Sequence, residues 1–357
     1  MPSNRRLIVV ANRLPVRRVS GGETRWVASE GGLVTALAPI ARSTHGAWVG
    51  WSGASDRRTA RFTHDGIAIQ PLALSEREVE SFYHEFSNRT LWPLYHDAIR
   101  TPEFDRRHWG PYVEVNMKYA RAAARIARKG DIVWVHDYHL QLVPEMIRRM
   151  RPGVRIGFFL HIPFPPEEIF AWLPWRTEIL RGLLGADLVG FQTTASAKNF
   201  AALARKYTPA EGTDHELEIG GVAVGSFPIS IDADWFESTA KLPRTITQAK
   251  ALRSRIGAKR KILLAVDRLD YTKGIDARLQ AYELLLGSGR LTVEDVCLMQ
   301  IAVPSRERVF EYADMREQIE RLVGRINGEF AVPGSVAVHY FRRSFTREEL
   351  TAFYVAA

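Results

Sequence analysis

The chain has 357 residues, of which 46% are hydrophobic and 25% charged, enough apolar content to offset the entropy of ordering and to exclude disorder as the main state. Its 49 lysines and arginines, only nine of them lysine, outnumber 40 acidic residues and leave a net charge of +9, which points toward acidic partners: nucleic acid, a membrane surface or small phosphorylated molecules. The length favours two domains, no apolar run approaches the ~18 residues of a membrane span, and a single cysteine excludes an internal disulfide or cysteine metal cluster.

The first apolar run, residues 7–11, follows Arg5 and Arg6 and is shorter than the ~7–15 residues of a secretory signal, so it reads as the first strand of a cytoplasmic protein. Further strand-like runs follow at 47–51, 67–71, 132–136, 156–161, 188–192, 262–266, 296–303 and 336–341. Helical patterns lie between them at 75–97, 112–128, 141–149, 193–207 and 276–286, and residues 216–226 read as a hairpin around Gly220 and Gly221. Alternating strands and helices predict a doubly wound parallel sheet. The pattern breaks near Ile231, and a polar helix-prone stretch, 241–259, leads to a new strand at Lys261. This predicts one α/β domain over 1–240 and another over 241–357. The second shows three strands and three helices, short of the five or six strands usual for such a unit. Cys297 lies in an apolar run and reads as core.

Ligands of open parallel sheets bind outside the carboxyl ends of the strands. Polar residues follow the strands at Asn12-Arg13, His136-Asp137, His161, Arg268 and Ser305-Arg306, which points to a shared cleft. Gly31 and Gly32 open a helical pattern and would let backbone N–H groups approach an anion, although an ordinary loop-to-helix turn explains them as well. Neither G-x-G-x-x-G nor G-x-x-x-x-G-K-[ST] occurs, so no nicotinamide or Walker-type ATP site is signalled. Arg268 and Lys273 flank a turn between strand and helix, where a planar fork and a point charge can converge on one diphosphate. The His136 and His139 spacing differs from the H-E-x-x-H of a zinc helix, so no metal is expected. Asp137 at a strand tip could accept from sugar hydroxyls, and the Pro163–Pro166 segment stops the strand so that His161 sits at its rim. The first half is rich in aromatics, Trp48, Trp51, Tyr83, Trp92 and Trp109 among them; most such residues are core, and spacing alone does not choose which line a sugar site.

Taken together, ANRLPV (11–16), EGGL (30–33), GWSG (50–53), FSNRTLWPLYH (86–96), WVHDYHL (134–140), GFFLHIPFPPEEIF (157–170), GFQT (190–193), DRLDYTKG (267–274) and GRINGEF (324–330) resemble the trehalose-6-phosphate synthases. These are retaining glycosyltransferases of GT-B fold, with two Rossmann-like domains facing a cleft. The resemblance implies glucosyl transfer from a UDP-, ADP- or GDP-glucose donor to glucose 6-phosphate. Arg13, Arg306 and Tyr83 would hold the acceptor phosphate, Trp51 and Trp92 shape its pocket, and Asp137 bind a glucose hydroxyl. Gly31 and Gly32 would meet the donor phosphates, Arg268 and Lys273 its diphosphate, and Phe345 its base, with His161 beside the donor sugar. No metal or other cofactor is implied, and the leaving phosphate would take the acceptor proton in a front-side attack. The family continues with a D-G-x-N-L motif that these 357 residues do not contain, so a C-terminally incomplete donor domain is expected. Related readings are a transferase using glycerol 3-phosphate or a cyclitol phosphate, and a non-catalytic sugar-phosphate sensor. Dispersed arginines and the lack of a recognised module argue against nucleic-acid binding, no membrane partner is expected, and a homo-oligomer stays open.

Overall fold

A computed structural model describes residues 5–19, 25–29, 32–55, 58–210, 218–304 and 310–357. The chain divides into two units, Met1–Ser230 and Ile231–Ala357.

In the first unit the strands run in chain order β1 (Leu7–Arg13), β2 (Val16–Val19), β3 (Arg25–Ala28), β4 (Ala47–Trp51), β5 (Phe62–His64), β6 (Ile67–Leu72), β7 (Ile132–His136), β8 (Arg155–Leu160), β9 (Leu188–Phe191), β10 (Glu218–Ile219) and β11 (Val222–Ser226). Nine of them form one sheet, ordered β10-β11-β9-β8-β7-β1-β4-β6-β5. From β11 to β6 every pairing is parallel, and only the edge strands β10 and β5 run antiparallel. Central β1 explains the parallel choice: Ile8, Val9, Val10 and Ala11 are all fully buried, as a strand covered on both faces requires. Polarity returns at buried Asn12 and exposed Arg13, on the carboxyl edge. The same edge carries the ends of β4, β7 and β8, which brings Arg13, Trp51, His136 and the residues after Leu160 to one side of the sheet. Gly220 and Gly221 make the expected hairpin turn, with φ of 57° and 80°, and β11 returns parallel to β9.

Two local features depart from expectation. The short hairpin β2–β3 and the three-residue β5 carry too few alternating positions to stand out. The helix expected over 75–97 is not uniform. Ser75 caps Glu76–Glu78 with a capping box, its hydroxyl accepting from Glu78 N at 3.2 Å while its own N–H donates to the Glu78 carboxylate at 2.9 Å. The backbone then widens into a π-helix, Val79–Leu91, before closing as Trp92–Tyr95. Such widening is rare and concentrates at functional sites. Here it buries Phe82, Phe86 and Leu91 together with Ser87, Asn88 and Thr90, a face broader than an α-helical stripe. The Asn88 amide donates to the Tyr83 carbonyl five residues back, at 2.7 Å, and holds the wide turn.

The second unit opens with helices Ala233–Ala240 and Pro243–Ile256. Its strands β12 (Lys261–Arg268), β13 (Val296–Val303) and β14 (Val338–Phe341) pair in parallel in that order. Helices Ile275–Gly287, Phe310–Phe330 and Arg347–Ala356 follow them in turn. Fully buried Cys297 packs with Ala249, Ile262, Met299 and Ala356, as expected of a core thiol, and burial pushes its pKa up. No helix among the described residues is long and apolar enough to cross a membrane.

Candidate active site

The carboxyl edge of the first unit's sheet is built around the turn after β7. Asp137 has φ 75° and ψ 168°, a conformation that is essentially glycine's alone and costs a side-chain-bearing residue about 1–3 kcal/mol. Its N–H donates to the Phe159 carbonyl at 2.8 Å, and its Oδ1 accepts from the His161 N–H at 3.2 Å. The strain persists because buried side chains fix the carbonyls that follow. Tyr112 donates to Tyr138 O at 2.8 Å and Asn116 to His139 O at 3.0 Å, while Asn116 Oδ1 accepts from Leu142 N at 3.2 Å. Gln141 donates to Tyr138 O at 3.2 Å and accepts from the Tyr95 hydroxyl at 2.8 Å. Tyr138 in turn donates to Asn88 at 2.9 Å, which links this loop to the π-helix.

Beside it, the Arg13 guanidinium lies 4.0 Å from the Trp51 ring centroid and 5.3 Å from that of Tyr83. Trp51 and Tyr83 meet edge-on at 6.0 Å, and Tyr83 stacks on His139 at 5.7 Å with 9° between planes. The backbone beneath Arg13 is pinned from both sides of the sheet: the Tyr119 hydroxyl donates to Asn12 O at 2.7 Å, and the Trp48 indole to Arg13 O at 2.9 Å. A planar cation held against aromatic rings keeps its N–H fork available in a fixed plane, the arrangement suited to an oxyanion. Trp92, 3% exposed like Trp51, packs against His96 and Tyr138.

His136 and His161 form a pair, with Nδ1 of the first 3.0 Å from Nε2 of the second. Burial holds the His136 imidazole well below its ordinary pKa, aided by neighbouring His161. Burial also lowers that of His161, opposed by the Asp137 carboxylate. Both rings therefore stay neutral in the folded protein at pH values where the unfolded chain has protonated them. Below about pH 6.5 the unfolded state binds more protons, so stability falls as pH drops, by up to about 1.4 kcal/mol per pH unit for each ring that remains neutral. Urea midpoints at pH 7.5 and 5.5 should show this decline, and His136→Phe should flatten it; equal slopes in the two proteins would contradict the assignment.

In the second unit Arg268 ends β12 and Lys273 precedes the helix Ile275–Gly287, both exposed. The turn between them is fixed by fully buried Asp270, which accepts from Thr272 N at 3.0 Å, the Thr272 hydroxyl at 2.8 Å and the Tyr312 hydroxyl at 3.1 Å. Gly274, at φ 58°, turns the chain into the helix. Half-buried Phe345 stands edge-on to Phe341 and Phe353, with the Arg343 guanidinium 4.6 Å from its ring centroid.

Of the residues singled out in the sequence, Arg13, Trp51, Tyr83, Asp137 and His161 gather on the carboxyl side of the first unit's sheet. Gly32 begins the helix Gly32–Ser43 with open space where a side chain would stand, while Gly31 and Arg306 lie outside the described residues. No group of three or more acidic, histidine or cysteine side chains suited to a metal ion occurs among the described residues. Sequence reading missed Asn88, Tyr112, Asn116 and Gln141, whose polarity inside apolar helical and turn segments was the available signal.

Residues 5–357 match the model for glycosyltransferase family 20. The chain is 51% identical over 369 residues to a trehalose-6-phosphate synthase of Mycolicibacterium gilvum, covering 98% of this chain and 73% of the relative. A crystal structure of a UDP-forming α,α-trehalose-phosphate synthase from Burkholderia xenovorans in complex with glucose 6-phosphate superposes with a TM-score of 0.87 at 31% identity, covering 98% of this chain and 77% of the other. An E. coli structure described as bound with UDP-2-fluoro glucose gives 0.84 at 32% identity, with 98% and 76% covered.

Proposed function

The chain belongs to glycosyltransferase family 20, and from that premise we propose that it transfers a glucosyl group from a nucleotide-glucose to glucose 6-phosphate, with retention, giving α,α-trehalose 6-phosphate. The observation that carries this reading is the Arg13–Trp51–Tyr83 stack beside strained Asp137, an anion fork next to a sugar-hydroxyl acceptor. In it the first unit takes the acceptor and the second the donor. Arg13, Tyr83 and Arg306 hold the acceptor phosphate, Trp51 and Trp92 shape the pocket, and Asp137 accepts from a glucose hydroxyl. Gly31, Gly32, Arg268 and Lys273 take the donor phosphates, and Phe345 the base. His161 lies by the donor sugar, where its ring can stabilise the charge that develops as the glycosidic bond lengthens. The departing phosphate oxygen accepts the proton of the attacking hydroxyl on the same face of the ring, which preserves configuration. A fork that holds an acceptor phosphate would also hold glycerol 3-phosphate or a cyclitol phosphate, although Trp51 and Trp92 favour a hexose, so competing acceptors belong in the assay.

The test incubates the chain with UDP-, ADP- or GDP-glucose and each acceptor, and follows nucleoside diphosphate release and product stereochemistry. Release dependent on glucose 6-phosphate, with an α,α product, is expected. Binding of glucose 6-phosphate in calorimetry without any turnover would instead favour a sensor, and neither binding nor turnover would overturn the proposal.

Gly53 supplies a finer check. It has φ 92°, and a methyl there would collide with Nη1 of Arg13. Gly53→Ala should therefore push the guanidinium off Trp51 and raise KM for glucose 6-phosphate about tenfold, the worth of one charge-assisted hydrogen bond, with KM for the donor unchanged. Equal effects on both constants would point to general distortion.

A further inference from the structure

We propose that His136 is a positioning residue that sets the tautomer of His161: its Nδ1–H donates to Nε2 of His161, so that His161 carries its proton on Nδ1 and presents a donor. The inference deepens, and rests on, the reading of His161 as the residue beside the donor sugar.

Two neutral rings whose nitrogens stand 3.0 Å apart share one proton between them, and only two arrangements exist. In the first, His136 donates; its Nε2 is then a bare acceptor and His161 is protonated at Nδ1. In the second, His161 donates from Nε2; His136 must then carry its proton on Nε2, and His161 Nδ1 becomes an acceptor. The His136 Nε2 atom is buried and has no hydrogen-bond partner among the described residues. Its described surroundings are largely apolar: His136 and His161 line a cavity of about 340 Å³ with Trp134, Phe159, Leu188 and Phe227. A buried N–H left without an acceptor is the rarer of the two orphans, which favours the first arrangement.

The other end of the pair agrees. The Asp137 carboxylate lies against His161, accepting its backbone N–H and favouring positive charge on its ring. A neighbouring carboxylate favours an N–H over a lone pair on the ring nitrogen that His136 does not engage. Both ends thus select the tautomer in which His161 Nδ1 donates. A donor is what a sugar oxygen or a departing phosphate requires, and a ring free to switch tautomer would spend part of its time presenting a lone pair instead. His136 touches no substrate in this scheme; it acts through His161.

The experiment labels the full chain with ¹⁵N-histidine and records long-range ¹H–¹⁵N correlations at pH 7.5, with the His161 signals identified by their loss in His161→Asn. The unchanged chain should show His161 with a bare Nε2 and a protonated Nδ1. His136→Phe, which cannot donate, should move His161 toward the Nε2–H form and lower kcat about tenfold at unchanged KM for glucose 6-phosphate, the loss of one oriented hydrogen bond. His136→Gln, whose amide can donate, should keep the Nδ1–H pattern and restore kcat to within about threefold of the unchanged chain. A protonated Nε2 on His161 in the unchanged chain overturns the proposal without any variant being needed, and so does an unaltered pattern in His136→Phe. The Nδ1–H pattern in a chain that shows no glucosyl transfer would uphold the tautomer assignment and count against the transfer reading alone.

Discussion

Replacing Asp137 with asparagine, alanine or glycine should lower kcat/KM by about 10²–10³-fold, while the glycine variant should be more stable than the alanine variant. The activity loss is that of a charge-assisted hydrogen bond to a substrate hydroxyl together with the group that fixes the backbone of His161, about 3–4 kcal/mol in all. The stability order follows from the backbone. At φ 75° and ψ 168° a Cβ carries a strain of about 1–3 kcal/mol, which alanine keeps and glycine relieves. Glycine gives back about 0.5–1 kcal/mol through the freedom of the unfolded chain, so a net advantage of about 1 kcal/mol over alanine remains. Elsewhere in the chain the usual order is the reverse. Urea denaturation of the three variants, read beside their activity, decides the matter. Alanine more stable than glycine would remove the strain from the account, and an active asparagine variant would remove the carboxylate from the site.

That strain is affordable because the loop is determined from outside itself. Tyr95, Tyr112, Asn116 and Gln141, all fully buried, direct their polar groups at the turn after β7 and leave Asp137 no relaxed alternative. The sequence could not display this. Alternation and strand length make β1, β4, β7 and β8 legible, and the rule that ligands meet parallel strands at their carboxyl ends then marks Arg13, Asp137 and His161 without coordinates. Nothing in the spacing of residues 75–97 tells a π-helix from an α-helix, because the difference lies in Asn88 bonding to Tyr83 O and in what Phe82 and Phe86 pack against. Likewise Trp51 and Trp92 look alike as letters. Tertiary packing alone sets the first against Arg13 and Tyr83 and the second against His96 and Tyr138. The pairing of His136 with His161 joins residues 25 apart, the first at the end of β7 and the second just past β8, and it is visible only once the two strands are in register.

Removing both cations of the second unit should have the other large effect. Arg268→Ala and Lys273→Ala should each reduce kcat/KM for the nucleotide-glucose about 10–10²-fold, and the double variant about 10³-fold or more, because a leaving diphosphate gains negative charge as the bond to glucose breaks. Both side chains are exposed, so their loss costs the fold little. The turn keeps its shape through fully buried Asp270, which accepts from the Thr272 N–H, the Thr272 hydroxyl and the Tyr312 hydroxyl. Thermal stability should accordingly stay within about 1 kcal/mol of the unchanged chain, which separates a charge effect from unfolding. Lys273→Arg should recover most of the activity, whereas Arg268→Lys should recover less, since a guanidinium spans two phosphate oxygens and an ammonium contacts them as a point. If these two residues supply the neutralising charge, a chelator should leave the rate unchanged, and raising the salt concentration should weaken donor binding in the unchanged chain more than in the double variant. A chelator-sensitive rate, or a double variant with unaltered donor kinetics, would assign the neutralisation of the diphosphate to something other than the tip of β12.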